Sequence, residues 1–120
     1  MHPQTTVLIV EDEPLILLAA CDMVENAGCI AREAANADIA LEILEQDCAI
    51  ALLFTDIDMP GSMDGMGLVL QVQARWPEMG IIITSGRRPL APHDVPKRCS
   101  FLDKPYLEHE VSEALRKLLE

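Results

Sequence analysis

The chain has 120 residues, half of them apolar, and a formal net charge of −11 from 20 acidic and 9 basic side chains. One domain fits that length, with a real core, since a chain of this size buries roughly two thirds of its unfolded surface. The charge argues against nucleic acid as a direct partner and favours metal ions, basic partner surfaces or solubility, and no apolar run approaches the ~18 residues that a membrane span needs.

Met1-His2-Pro3-Gln4 lacks the basic and apolar regions of a signal peptide. The cysteines, Cys21, Cys29, Cys48 and Cys99, show no paired spacing and are expected as free thiols in a reducing cytoplasm. Thr6-Val7-Leu8-Ile9-Val10 predicts a buried strand, stopped by three acids, Glu11-Asp12-Glu13. Pro14 suits the first turn of a helix, in which Ile16, Ala19, Ala20, Met23 and Ala27 recur at helical spacing before Gly28 ends it. Leu15, Leu17, Leu18 and Cys21 fall partly outside that inward stripe. They predict either a broad buried face or a docking patch.

Cys29 to Ala34 reads as a weaker strand nearer a sheet edge, and Asn36 as the cap of a second helix through Ala40, Leu41, Ile43 and Leu44. Ile50-Ala51-Leu52-Leu53-Phe54 has no charge and predicts a strand buried on both faces, as in a parallel sheet. It runs into Thr55-Asp56-Ile57-Asp58-Met59-Pro60-Gly61, which turns the chain away. Asp64 is expected in the turn before a third helix carrying Leu68, Val69, Val72 and Trp76. Gly80 to Ser85 is a fourth strand and Ser100-Phe101-Leu102 a short fifth. A last helix carries Val111, Ala114, Leu115 and Leu118 on one face. His2, His93 and His109 have no ligand spacing and are expected at the surface. Strands alternating with helices predict an α/β fold with a doubly wound, five-stranded parallel sheet.

The chemistry collects just past the strand ends: Glu11 and Asp12, then Asp56 and Asp58, then Thr84 and Ser85, then Lys104. Such ends are where open α/β sheets bind ligands. Two carboxylates about 5 Å apart repel by roughly 3 kcal/mol at an effective dielectric of about 20. A hard divalent cation removes that cost, and an oxygen-only site that keeps several waters suits Mg²⁺. A carboxylate nucleophile, a metal, a lysine and a hydroxyl together suit a phosphoryl group.

Val10-Glu11-Asp12-Glu13, Thr55 to Gly61, Asp64-Gly65, Ser85-Gly86 and Lys104-Pro105, in that order, resemble the receiver domain of two-component response regulators, of the chemotaxis-regulator type. The resemblance covers essentially the whole chain, residues 1–120. It implies a flavodoxin-like sheet of strand order 2-1-3-4-5. It implies Asp56 as the phosphoacceptor, loaded from a phosphohistidine on a histidine kinase or histidine phosphotransfer protein. Asp12, Asp56 and the backbone carbonyl of Asp58 would bind Mg²⁺ (or Mn²⁺ in its place), and Glu11 would hold a metal-bound water. Lys104 would pair with the phosphoryl group, and the bond to Pro105 would be cis. The hydroxyl of Ser85, with Thr84 as its competitor, and the ring of Phe101 would form the switch. The implied protein is a cytoplasmic signalling switch that takes part in its own phosphorylation and dephosphorylation, not an enzyme. It would be a monomer or weak dimer acting on a further protein target.

The chain departs from the family between Ser85 and Phe101. Pro89, Pro92 and Pro96 interrupt the segment where a fourth helix normally lies, predicting mostly loop and a reduced or missing helix. Arg87 in that segment is expected to pair with Asp58. No DNA-binding or catalytic output domain fits in 120 residues, and the numbering is equally that of a receiver cut from a longer regulator or hybrid kinase. Two other functions compete with the leading one. An unphosphorylated interaction scaffold would have the same fold. An aspartate-nucleophile phosphohydrolase shares the Asp56-x-Asp58 pattern, but would carry it on the first strand and add a cap.

Overall fold

A computed structural model describes residues 5–58, 65–86 and 99–119. The elements run β1 (Thr6–Val10), α1 (Pro14–Asn26), β2 (Ile30–Ala34), α2 (Ala37–Gln46), β3 (Ile50–Asp56), α3 (Gly65–Arg75), β4 (Gly80–Ser85), β5 (Cys99–Asp103) and α4 (Glu108–Leu119). All strand pairs are parallel, in the order β2-β1-β3-β4-β5. This is the parallel α/β sheet expected from the alternation of strands and helices, in the flavodoxin-like order that the resemblance implies.

Strand alternation sorts the apolar side chains onto two faces. Leu8, Val10, Leu53, Ile81 and Ile83 pack with Ala40 and Leu44 of α2 and Leu68, Val69 and Val72 of α3. Val7, Ile9, Leu52, Phe54 and Ile82 pack with Ala20 and Val24 of α1 and Val111 and Leu115 of α4. Covering both faces explains why β1, β3 and β4 are continuous apolar runs while the edge strand β2 is mostly exposed.

Local signals act as expected at several ends. The Asn36 side chain accepts a hydrogen bond from the Ile39 N–H at 2.8 Å. Pro14 opens α1, and Gly28, at φ +92°, follows its last turn. Trp76 lies one residue beyond α3 and takes the Arg75 guanidinium over its ring at 4.5 Å. The cysteines are free.

One expectation needs correction. Ile16, Ala20, Met23 and Ala27 of the expected α1 stripe face the core, but Ala19 is exposed, and Leu17, Cys21 and Val24 turn inward beside them. The first turns of the helix are apolar on most sides, so spacing alone did not fix the width of its buried face. The small Ala20 and Cys21 side chains are the ones that let the helix lie close on β1 and β2. Of the four residues of the patch reading, Leu15 (81 %) and Leu18 (57 %) are exposed, whereas Leu17 and Cys21 pack inward. The expected loss of a fourth helix between Ser85 and Phe101, the pairing of Arg87, and the turn at Asp64 all lie outside the described residues.

Candidate functional site

β1 and β3 are neighbours whose connections leave in opposite directions across the sheet, and the crevice at their C-terminal ends is where such folds place ligands. The ladder continues past the strand ends and holds the loops in register. The Glu11 N–H donates to the Ala34 carbonyl (3.1 Å), Ile57 N–H to the Thr84 carbonyl (3.0 Å), and Lys104 N–H to the Ser85 carbonyl (3.0 Å). Gly65 opens α3 directly against the end of β3. A Cβ there would collide with the Asp56 carbonyl oxygen and the Ile57 Cα.

Glu11, Asp12 and Asp56 each offer a carboxylate oxygen, and these oxygens lie within 4.8 Å of one another. Glu11 and Asp56 are buried, while Asp12 opens to solvent. Lys104 Nζ donates to Glu11 Oε1 (2.6 Å) and to Asp56 Oδ2 (2.8 Å). Asp56 Oδ1 accepts from the Asp58 N–H at 2.9 Å, and Glu11 Oε2 from the Glu13 N–H at 3.1 Å. Burial pushes the Glu11 carboxyl above its usual range, more than the Lys104 and Glu13 hydrogen bonds pull it down. Burial also works against the Lys104 ammonium, but the hydrogen bonds and charges of Asp56 and Glu11 outweigh it, so its pKa is raised.

These groups line a cleft of about 310 Å³ bounded by Glu11, Asp12, Glu13, Asp56, Asp58, Gly86 and Lys104. The donor set is three carboxylates, hard oxygen ligands of the kind that Mg²⁺ prefers, and one ligand is open to water. Ser85 sends its hydroxyl to the acidic loop, where it donates to Asp58 Oδ2 at 2.6 Å. Phe101 pairs with Ile83 in the β4–β5 register and is half-buried against the α2–α3 side of the core. The bond from Lys104 to Pro105 is cis.

Residues 7–116 match the family described as response regulator receiver domain. The chain belongs to that family. Its receiver fold superposes on a response regulator receiver protein from Sinorhizobium medicae WSM419 with a TM-score of 0.89, at 26% identity over 97% of this chain and 94% of that one. The receiver domain of the hybrid histidine kinase CckA gives a TM-score of 0.80 at 28% identity, covering 96% of this chain and 99% of that one. In sequence, the sensor kinase CckA of Brucella abortus is 30% identical over 96% of this chain, but only 12% of that protein is covered. Curated response regulators of the NtrX-like type are covered over 17 to 18% of their length, so this receiver spans less than a fifth of the curated relatives it matches. Receiver domains are signalling switches that partner with histidine kinases, not turnover enzymes. Among the described residues of this one, no helix is long and apolar enough to cross a membrane.

Sequence reasoning missed Tyr106. It is buried, its ring lies 5.4 Å from that of Phe54, and burial followed by the Glu11 charge pushes its hydroxyl up to about 12. It lines a second, apolar cleft of about 500 Å³ with Leu15, Ile16, Ala19, Met23 and Pro105, which reaches Lys104. The available signal was its place directly after Lys104-Pro105.

Proposed function

We propose that this chain is a phosphoacceptor receiver, one domain over residues 1–120, in which phosphorylation of Asp56 switches a protein-interaction surface. The observation that carries the reading is Lys104 Nζ bound to both Asp56 and Glu11 beside the acidic cluster. The Asp56 carboxylate attacks the phosphorus of a phosphohistidine on a histidine kinase or phosphotransfer protein. The P–O bond forms as the P–N bond breaks, and the electron pair of that bond stays on the imidazole. Asp12, Asp56 and the Asp58 carbonyl would hold Mg²⁺, or Mn²⁺ in its place, with Glu11 on a bound water; the bound ion would supply positive charge to offset that of the phosphoryl oxygens. Lys104 moves from sharing two carboxylates to meeting a phosphoryl oxygen. Ser85 supplies a hydroxyl to another, and Phe101 follows it inward.

Incubation with acetyl phosphate and Mg²⁺ should add one labile phosphate to the intact mass of the wild type. It should add none without Mg²⁺ and none to Asp56→Asn. A chain that stays unmodified by acetyl phosphate and by phosphorylated kinases alike is a scaffold, and the reading fails.

Leu15 lines the apolar cleft that reaches Lys104, and Leu18 is exposed on the same helix, which favours α1 as the seat of the phosphodonor. Replacing both by glutamine should slow transfer from phosphorylated histidine kinases roughly tenfold or more, the usual scale for losing apolar anchors. Labelling by acetyl phosphate and the denaturation midpoint should stay as in the wild type. Unchanged transfer would remove the α1 face from the interface.

A further inference from the structure

Asp58 makes two contacts that join the acceptor to the switch hydroxyl. Its backbone N–H donates to Asp56 Oδ1 at 2.9 Å, and its side-chain Oδ2 accepts from the Ser85 hydroxyl at 2.6 Å. Ser85 is 2 % exposed, so that hydroxyl has little access to water. Its backbone is pinned as well, since its carbonyl accepts from the Lys104 N–H at 3.0 Å. The register pairs Asp56 with Thr84, which puts Ser85 one step beyond the acceptor on the adjacent strand. A hydroxyl donating to a carboxylate over about 2.6 Å is in the short, charge-assisted class.

A serine hydroxyl has one proton to donate. In the resting site Asp58 holds it. A phosphoryl group on Asp56 brings a charge of about −1.5 to −2 and new acceptor oxygens into the same crevice. It must compete with the Asp58 carboxylate for that proton. We propose that the Asp58 side chain is a resting-state latch: it positions the Ser85 hydroxyl away from the acceptor and sets how far phosphorylation shifts the switch. The proposal rests on Asp56 being the phosphoacceptor. It is separate from the Asp58 carbonyl, which alanine retains. The phosphorylated state is favoured only by the difference between its contacts and those of the resting state, so weakening the resting contact strengthens the response.

The test uses fluoroberyllate, a phosphoryl analogue, titrated at saturating Mg²⁺ and followed by amide NMR shifts of the full chain. Four proteins are compared: wild type, Asp58→Ala, Ser85→Ala and the double variant. Asp58→Ala should bind the analogue about tenfold more tightly than wild type, on the scale of a lost hydrogen bond to a charged group. In the Ser85→Ala background the same change should gain no more than about twofold, because the latched hydroxyl is already absent. An equal gain in both backgrounds would reduce Asp58 to its charge alone and overturn the latch, as would no gain in either. Those outcomes leave the acceptor reading standing. A wild type that binds no better than Asp56→Asn would overturn the acceptor reading and the latch with it.

Discussion

Gly65→Ala is expected to disable phosphoryl acceptance far more than its one added carbon suggests. The new Cβ would be driven into the Asp56 carbonyl oxygen and the Ile57 Cα, both backbone atoms. A flexible side chain could swing aside, but backbone cannot, so either α3 backs away from β3 or the end of β3 moves. Overpacking of this kind costs about 1–3 kcal/mol, and more where no side chain can give. The strand end that moves carries Asp56 and the N–H of Asp58 that orients it. A shift of about 1 Å at a reacting group can cost about a hundredfold in rate. Phosphorylation by acetyl phosphate should therefore fall by at least about tenfold, while the protein still unfolds cooperatively with a lowered denaturation midpoint. Gly80→Ala is the comparison. Its Cβ would meet the side chains of Leu118 and Leu52 at 3.2 and 3.3 Å, at the far end of β4 from the acids. It should lower the midpoint while leaving the phosphorylation rate close to wild type. If both variants lose stability and phosphorylation in the same proportion, Gly65 matters to the fold alone and has no special hold on the acceptor.

The order of elements and the collection of acids at the strand ends could be read from the sequence because both follow from short-range rules. A strand covered on both faces must be a continuous apolar run, and the first charged residue after it must sit at the sheet's edge. Glu11, Asp12, Asp56 and Lys104 all lie just past such apolar runs, and the structure puts them in one cleft. The width of the buried face of α1 could not be read, because residues such as Leu15 and Leu18 are as apolar as those it buries. Which of them faces the sheet is decided by how closely the helix can approach. Tyr106 was missed for a related reason. Its partner Phe54 lies on β3, far away in sequence, and only the path of the chain beyond β5 brings the two rings together. The contact of Ser85 with Asp58 depends on the relative height of two strand ends, set by the β3–β4 register. No pattern along the chain encodes a register. The double contact of Lys104 is similar: the order of motifs placed it near Asp56, but its 2.6 Å ion pair with Glu11 depends on how the ends of β1 and β5 stand across the sheet.

Removing the lysine should show what holds the acids together. Glu11 and Asp56 have side chains 3 % and 4 % exposed, and Lys104 is the cation that the described residues place on both. In Lys104→Met the methylene stem is largely kept and the charge is lost. Leaving a buried ion without its partner costs about 3–5 kcal/mol, a large share of the roughly 5–15 kcal/mol that holds a domain. The pH dependence should have a definite sign. Glu11 already titrates above its usual range, raised first by burial and then held back by Lys104. Without Lys104 the opposing pull is gone and its pKa rises further. A carboxyl whose folded pKa is raised stabilises the fold below its unfolded pKa, and that stability is lost as pH rises through the folded value. The gap in unfolding free energy between wild type and Lys104→Met should therefore be widest at pH 7.5 and narrow steadily towards pH 5. Mg²⁺ should narrow it too at neutral pH, by supplying the missing positive charge to the same oxygens. Urea denaturation across that pH range, with and without Mg²⁺, reads both effects. A gap that ignores pH and Mg²⁺ alike would mean that Lys104 supports the fold through its packed stem, and that the acidic cluster does not depend on its charge.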